Sequence, residues 1–139
     1  MPNVTRITVS IDEPLLEQFE KFLEENGYPT RSEGVKSIMR KALIENEWQT
    51  GHSDVAATIS MVYDHHKAGV MQKLTDIQHD FGELVVCTQH VHLDHHNCME
   101  VLILKGLASR IRDFHNALKS VKGLKHCALS AATTGEDIH

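Results

Sequence analysis

Three residues of this chain have the types and spacing of metal ligands: His90 and His92, two apart, and Cys98 six further on. The segment from Cys87 to Leu93 alternates and is rich in β-forming residues, so side chains two apart share a face of an extended strand. His90 and His92 then point the same way, with Cα atoms about 6.5–7 Å apart, a span that two imidazoles converging on one ion can bridge. Leu93 to Asn97 reads as a turn, and if it closes symmetrically Cys98 lies opposite His92. One face of one hairpin would then carry two imidazoles and a thiol. In a chain with eleven histidines a pair of neighbouring imidazoles alone is weak evidence, and the cysteine on the same face gives it weight. His95 and His96 fall in the turn and read as solvated. Cys87 has the opposite parity and reads as a small buried residue.

The elements that must position these groups divide the chain in two. All eleven histidines and all three cysteines lie after Thr50. Glu47 to Asp54 is a short polar stretch with one glycine, so the boundary is placed between residues 1–50 and 51–139. In the first part Arg6-Ile-Thr-Val-Ser-Ile-Asp12 alternates strictly, with Ile7, Val9 and Ile11 on one face and Arg6, Thr8 and Ser10 on the other. Asp12-Glu-Pro14 starts a helix that runs to Gly27 with Leu15, Leu16, Phe19, Phe22 and Leu23 as its stripe. Thr30-Arg-Ser-Glu33 fits a capping box before a second helix whose stripe is Val35, Ile38, Met39, Ala42 and Leu43. A strand followed by two helices has no sheet partner of its own, so it calls for an identical strand from a second copy, in an isologous dimer.

The second part alternates. Thr58 to Tyr63 reads as a strand, Lys67 to Asp80 as a helix, Leu84 to His92 and Cys98 to Lys105 as a hairpin, Leu107 to Val121 as a helix, and Leu124 to Ala131 as a last strand, with a disordered tail from Thr133 to His139. The order βαββαβ predicts a ferredoxin-like sheet with both helices on one face. The fold class is therefore α+β, a βαα module followed by a βαββαβ module.

Arg6-Ile-Thr-Val-Ser-Ile, the Asp12-Glu-Pro-Leu-Leu helix start, the Gly27-Tyr28 turn and Thr30-Arg-Ser-Glu-Gly-Val make the first module resemble the ribbon-helix-helix transcription regulators. Two-stranded ribbons can enter the DNA major groove, and the resemblance assigns base contacts to Arg6, Thr8 and Ser10. Arg31, at the start of the second helix, is placed to meet a phosphate. Residues 1–50 hold six Lys and Arg against nine Asp and Glu, a net of −3, so affinity for DNA cannot come from overall charge and calls for a second input.

Taken whole, the chain resembles the nickel-responsive transcriptional regulators, in which a ribbon-helix-helix domain precedes an ACT-type regulatory domain. The residues that carry the likeness are Arg6, Thr8 and Ser10, Val62-Tyr63-Asp64-His65, Gln78-His79, and His90, His92 and Cys98. The resemblance implies a His3Cys centre for Ni(II), one per subunit, in which His90, His92 and Cys98 are joined by His79 from a neighbouring subunit of a homotetramer. His65 is similar to a residue behind the ligands, or at an alternative metal site. Some members carry an additional acidic residue one helical turn after the position of Glu33, beside a cation site. This chain has Lys36 and Ser37 there.

A thiolate with three neutral imidazoles suits a late first-row divalent ion, with planar geometry favouring nickel or copper and tetrahedral geometry zinc. The resemblance implies a nickel-dependent repressor that binds a palindromic double-stranded operator and controls nickel-uptake genes. A sensor of copper, zinc or cobalt on the same scaffold, or a metal store or chaperone without specific DNA binding, is the alternative. The sequence contains neither HExxH nor the H-x-E with P-C-x-x-C of the zinc deaminases, so a non-enzymatic protein is expected. An odd count of three cysteines and no apolar leader or membrane-length run point to a reducing, cytoplasmic setting without membrane association.

Overall fold

Pro14 in the first turn and a glycine exit define α1 (Glu13–Glu25). Gly27 adopts φ +72°, the left-handed conformation that glycine takes without a Cβ penalty. It closes a Schellman turn in which Tyr28 N–H donates to the Leu23 carbonyl at 2.9 Å and Gly27 N–H to that of Glu24 at 3.2 Å. Thr30 then caps α2 (Arg31–Thr50), its Oγ1 accepting from Glu33 N–H at 3.1 Å. The Glu33 carboxylate accepts instead from Lys36 at 2.9 Å. A Cβ at Gly34 would fall inside the Leu23 side chain, so the absence of a side chain there lets the two helices approach closely.

The computed structural model describes residues 3–139. Compactness divides the chain into Met1–Lys41 and Ala42–His139, with the division inside α2. Trp48 accounts for the second unit's claim on the last turns of that helix. Trp48 is 5% exposed, its Nε1 donates to the Ala132 carbonyl at 2.8 Å, and the Arg112 guanidinium lies 5.6 Å from the ring centre while donating to the Trp48 carbonyl.

Residues 3–12 form no strand, contrary to the alternation of Arg6 to Asp12. Val4, Ile7, Val9 and Ile11 are all exposed. The reason is physical: a strand exists through its ladder, and a single chain offers this segment no partner.

The second unit follows the expected order. β1 (Asp54–Asp64), α3 (Val70–Asp80), a short 3-10 turn (Gly82–Leu84), β2 (Val85–His92), β3 (Asn97–Leu107), α4 (Ala108–Lys119) and β4 (Leu124–Ala131) follow in sequence. The antiparallel sheet has the order β2-β3-β1-β4. Its core lies between the helices and one sheet face, with Val55, Ala57, Ile59, Met61 and Tyr63 of β1, Leu102 and Leu104 of β3, Leu74 of α3, and Ile111, Phe114 and Leu118 of α4. α3 begins at Val70 rather than Lys67 because Gly69, at φ +81°, is left-handed and breaks the helical run. Cys87 is exposed, against expectation, because the sheet face it occupies has no cover in one chain. The tail from Thr133 is irregular but tied, as Thr133 Oγ1 donates to the Glu47 carboxylate at 3.2 Å.

Candidate metal centre

β2 is an edge strand of the sheet, and its register with β3 places His92 opposite Cys98 and His90 opposite Glu100. Cys98, Glu100, Leu102 and Leu104 alternate as buried residues of β3, so His90 and His92 lie on the helix-facing side of the sheet, beyond its apolar part. Their ring centres are 5.6 Å apart. Two imidazoles bound to one ion at ordinary metal–nitrogen lengths have centres about 4.5 Å apart when cis and about 6.4 Å when trans. The separation of this pair lies between those two values.

Cys98 is fully buried, and its Sγ donates to the Tyr63 carbonyl at 3.5 Å. Burial pushes its thiol above the ordinary value, the Tyr63 side chain offsets part of that shift, and the Glu100 carboxylate adds to it. A divalent cation is the natural counter-charge for a thiolate so placed. His79 is exposed in the last turn of α3. Among the described residues, no three His, Cys, Asp or Glu side chains of one chain converge to hold an ion. His90, His92 and Cys98 suit a late divalent ion in donor type and share one face of the sheet.

Behind the histidines lies a polar group buried in an otherwise apolar layer. Glu100 is 8% exposed, and its carboxylate accepts from Tyr63 Oη at 2.8 Å and from Gln78 Nε2 at 2.9 Å. It ties β1, β3 and the end of α3 together, through Gln78 beside His79, and lies across the ladder from His90. Burial, then the Glu100 carboxylate, holds the Tyr63 phenol far above its usual value, so it stays a donor. Sequence reasoning missed Glu100. Its signal was there: an acidic residue at a buried parity, two from Cys98 and two from Leu102. His65 stacks 4.0 Å from His66 and 4.9 Å from His92, its Nδ1 buried without a partner. Burial, then His66 and His92, lowers its pKa.

Arg6, Thr8 and Ser10 are exposed along the unpaired segment. Arg31 is engaged by Glu20, its Nε donating to the carboxylate at 3.0 Å, so a phosphate would have to compete for it. No helix among the described residues is long and apolar enough to cross a membrane.

A search of solved structures finds an uncharacterised protein of Thermotoga maritima, TM1266, at a TM-score of 0.52 and 12% identity, covering 57% of this chain and 98% of that one. That likeness is one of fold alone. Sequence relatives reach further. A protein of Nitratidesulfovibrio vulgaris is 44% identical over 99% of both chains, one of Geobacter sulfurreducens 44% over 100% of both, and one of Pyrococcus furiosus 44% over 97% of this chain and 98% of its own. All three carry the name nickel-responsive regulator. The family model described as the NikR C terminal nickel binding domain matches residues 56–132, a span that contains His79, His90, His92 and Cys98. With that match and these relatives, the chain belongs to the family of nickel-responsive regulators.

Proposed function

We propose that this protein is a nickel-dependent transcriptional repressor. His90, His92 and Cys98 hold Ni(II), one per subunit, and His79 of a neighbouring copy completes the His3Cys set. A bound nickel ion supplies a charge-neutralising crosslink between subunits. The protein's own contribution is to hold two imidazoles and a thiol on one sheet face and to leave His79 exposed at the end of α3. The register of His92 with Cys98 is the observation that carries the reading, and a ligand from a second copy would couple occupancy to assembly.

The first fifty residues would read DNA. Two copies of the unpaired segment form an antiparallel ribbon, burying Ile7, Val9 and Ile11 and presenting Arg6, Thr8 and Ser10 to the major groove. Their net charge of −3 keeps non-specific affinity low, which leaves room for the metal to control binding. Residues 51–139 act as the regulatory and tetramerisation module in the cytoplasm, two ribbon dimers engage the halves of a palindromic operator, and nickel-uptake genes are the regulated class.

The test is selection of a double-stranded site from a random pool by the nickel-loaded protein, then affinity for that site at fixed salt with and without stoichiometric Ni(II). Nickel is expected to tighten binding roughly 5- to 150-fold, the ordinary range of a coupling free energy. Equal affinity in both conditions refutes the repressor reading.

A further inference from the structure

Among the described elements α2 alone belongs to both compact units, since the division between Lys41 and Ala42 falls inside its 20 residues. Its last turn is held by the second unit through several separate contacts. The Trp48 indole donates to the Ala132 carbonyl just past β4, and the Trp48 carbonyl accepts from Arg112 of α4 at 2.8 Å. The Glu47 carboxylate accepts from Thr133. Ala132 is itself fixed, its N–H donating to the Ala56 carbonyl of β1 at 2.9 Å. Trp48 also belongs to the same buried cluster as Cys98.

Beyond these contacts the link is slight. α2 ends at Thr50 and β1 starts at Asp54, and Gly51, at φ +65°, turns the chain out of the helix. Joined by residues 51–53 alone, the helix would be tethered to the sheet rather than built into it. An element packed into a core passes on a rearrangement of that core, because packed interiors shift between discrete arrangements, whereas a tether absorbs the shift. We propose that Trp48 is the positioning residue through which the nickel state of the second unit acts on the first, by making the end of α2 part of the regulatory core. The inference rests on the repressor reading above.

Operator affinity of the full-length protein at fixed salt, with and without stoichiometric Ni(II), is compared for the parent, Trp48→Ala, Trp48→Phe and Arg112→Gln. In Trp48→Ala and Arg112→Gln the tightening by nickel is expected to fall at least about fivefold relative to the parent. Trp48→Phe keeps a ring but loses the Nε1 donor and falls between. Nickel uptake without DNA, followed by thiolate-to-metal absorption, is expected to be the same in all four. Leu129→Ala, which trims the same core away from α2, is expected to lower thermal stability and keep the coupling, an outcome that separates positioning from stability alone. Should Trp48→Ala fail to fold, Arg112→Gln and Trp48→Phe carry the comparison.

Trp48 is the single tryptophan of the chain, so its emission reads the contact directly, with no DNA present. Acrylamide is expected to quench it weakly in the parent and more strongly in Arg112→Gln. Parental coupling in Arg112→Gln and Trp48→Phe, or parental emission as open to acrylamide as in the urea-unfolded chain, overturns the inference and leaves the repressor reading standing. A parent whose operator affinity nickel does not change overturns both.

Discussion

Replacing Glu100 with alanine puts the polar bridge behind the metal centre to its sharpest test. The carboxylate accepts two hydrogen bonds, from Tyr63 and from Gln78, within a layer where Tyr63 is 1% exposed. Hydrogen bonds to charged groups are worth about 1.5–3 kcal/mol each, and a buried hydroxyl left without an acceptor costs about 1–3 kcal/mol. Against this, removing the carboxylate recovers part of its own desolvation cost. The net expected loss for Glu100→Ala is about 2–4 kcal/mol. Tyr63→Phe removes donor and hydroxyl together and is expected to cost about 1–2 kcal/mol. Urea unfolding of the metal-free protein, at one chain concentration because association shifts apparent stability, gives both values and their coupling through a double-mutant cycle. A coupling of about 1.5–3 kcal/mol between Tyr63 and Glu100 is expected. If Glu100→Ala loses less than about 0.5 kcal/mol, within the scatter of ordinary surface substitutions, the bridge does not hold β1, β3 and α3 together and the reasoning fails.

His79→Ala and Cys98→Ala are each expected to lose tight nickel binding with the circular dichroism of the fold unchanged, and normal binding by His79→Ala removes the subunit-bridging assignment. Arg6→Ala is expected to cost roughly 1–3 kcal/mol at the selected operator, while an equal loss on random DNA assigns Arg6 to phosphate. His115 provides a pH test away from the ligands. Burial lowers its pKa from 6.5, opposed in part by its contact with the Cys127 backbone, so the unfolded chain takes up the proton first. Its contribution is fully present above about pH 6.5 and is lost as pH falls through the lowered value. The metal-free His115→Gln variant is expected to lose less stability than the parent between pH 7 and pH 5, as read by thermal unfolding, and parallel curves for the two count against the assignment.

Local pattern made much of this protein legible. The alternation of β1 and the turn chemistry around Gly27 rest on interactions between near neighbours, and so does the register that sets Cys98 across from His92. Where neighbours along the chain do not decide, the sequence was silent or misleading. Arg6 to Asp12 has the alternation of a strand and forms none in one chain, because a strand exists through its ladder and alternation does not supply the partner. Cys87 has the parity of the uncovered sheet face, and parity does not say whether anything covers that face. Trp48 falls in the stretch read as a polar join, yet its indole meets Ala132 and Arg112, more than sixty positions away.

By itself, then, the sequence determined that His90, His92 and Cys98 share a face and in what order the elements of the second unit follow, since each follows from spacing along a strand or helix. Tertiary structure alone decided that Glu100 joins Tyr63 to Gln78 and that Cys98 is buried against a carbonyl. Those contacts depend on which strands become neighbours, and a period of two or 3.6 residues carries no information about that.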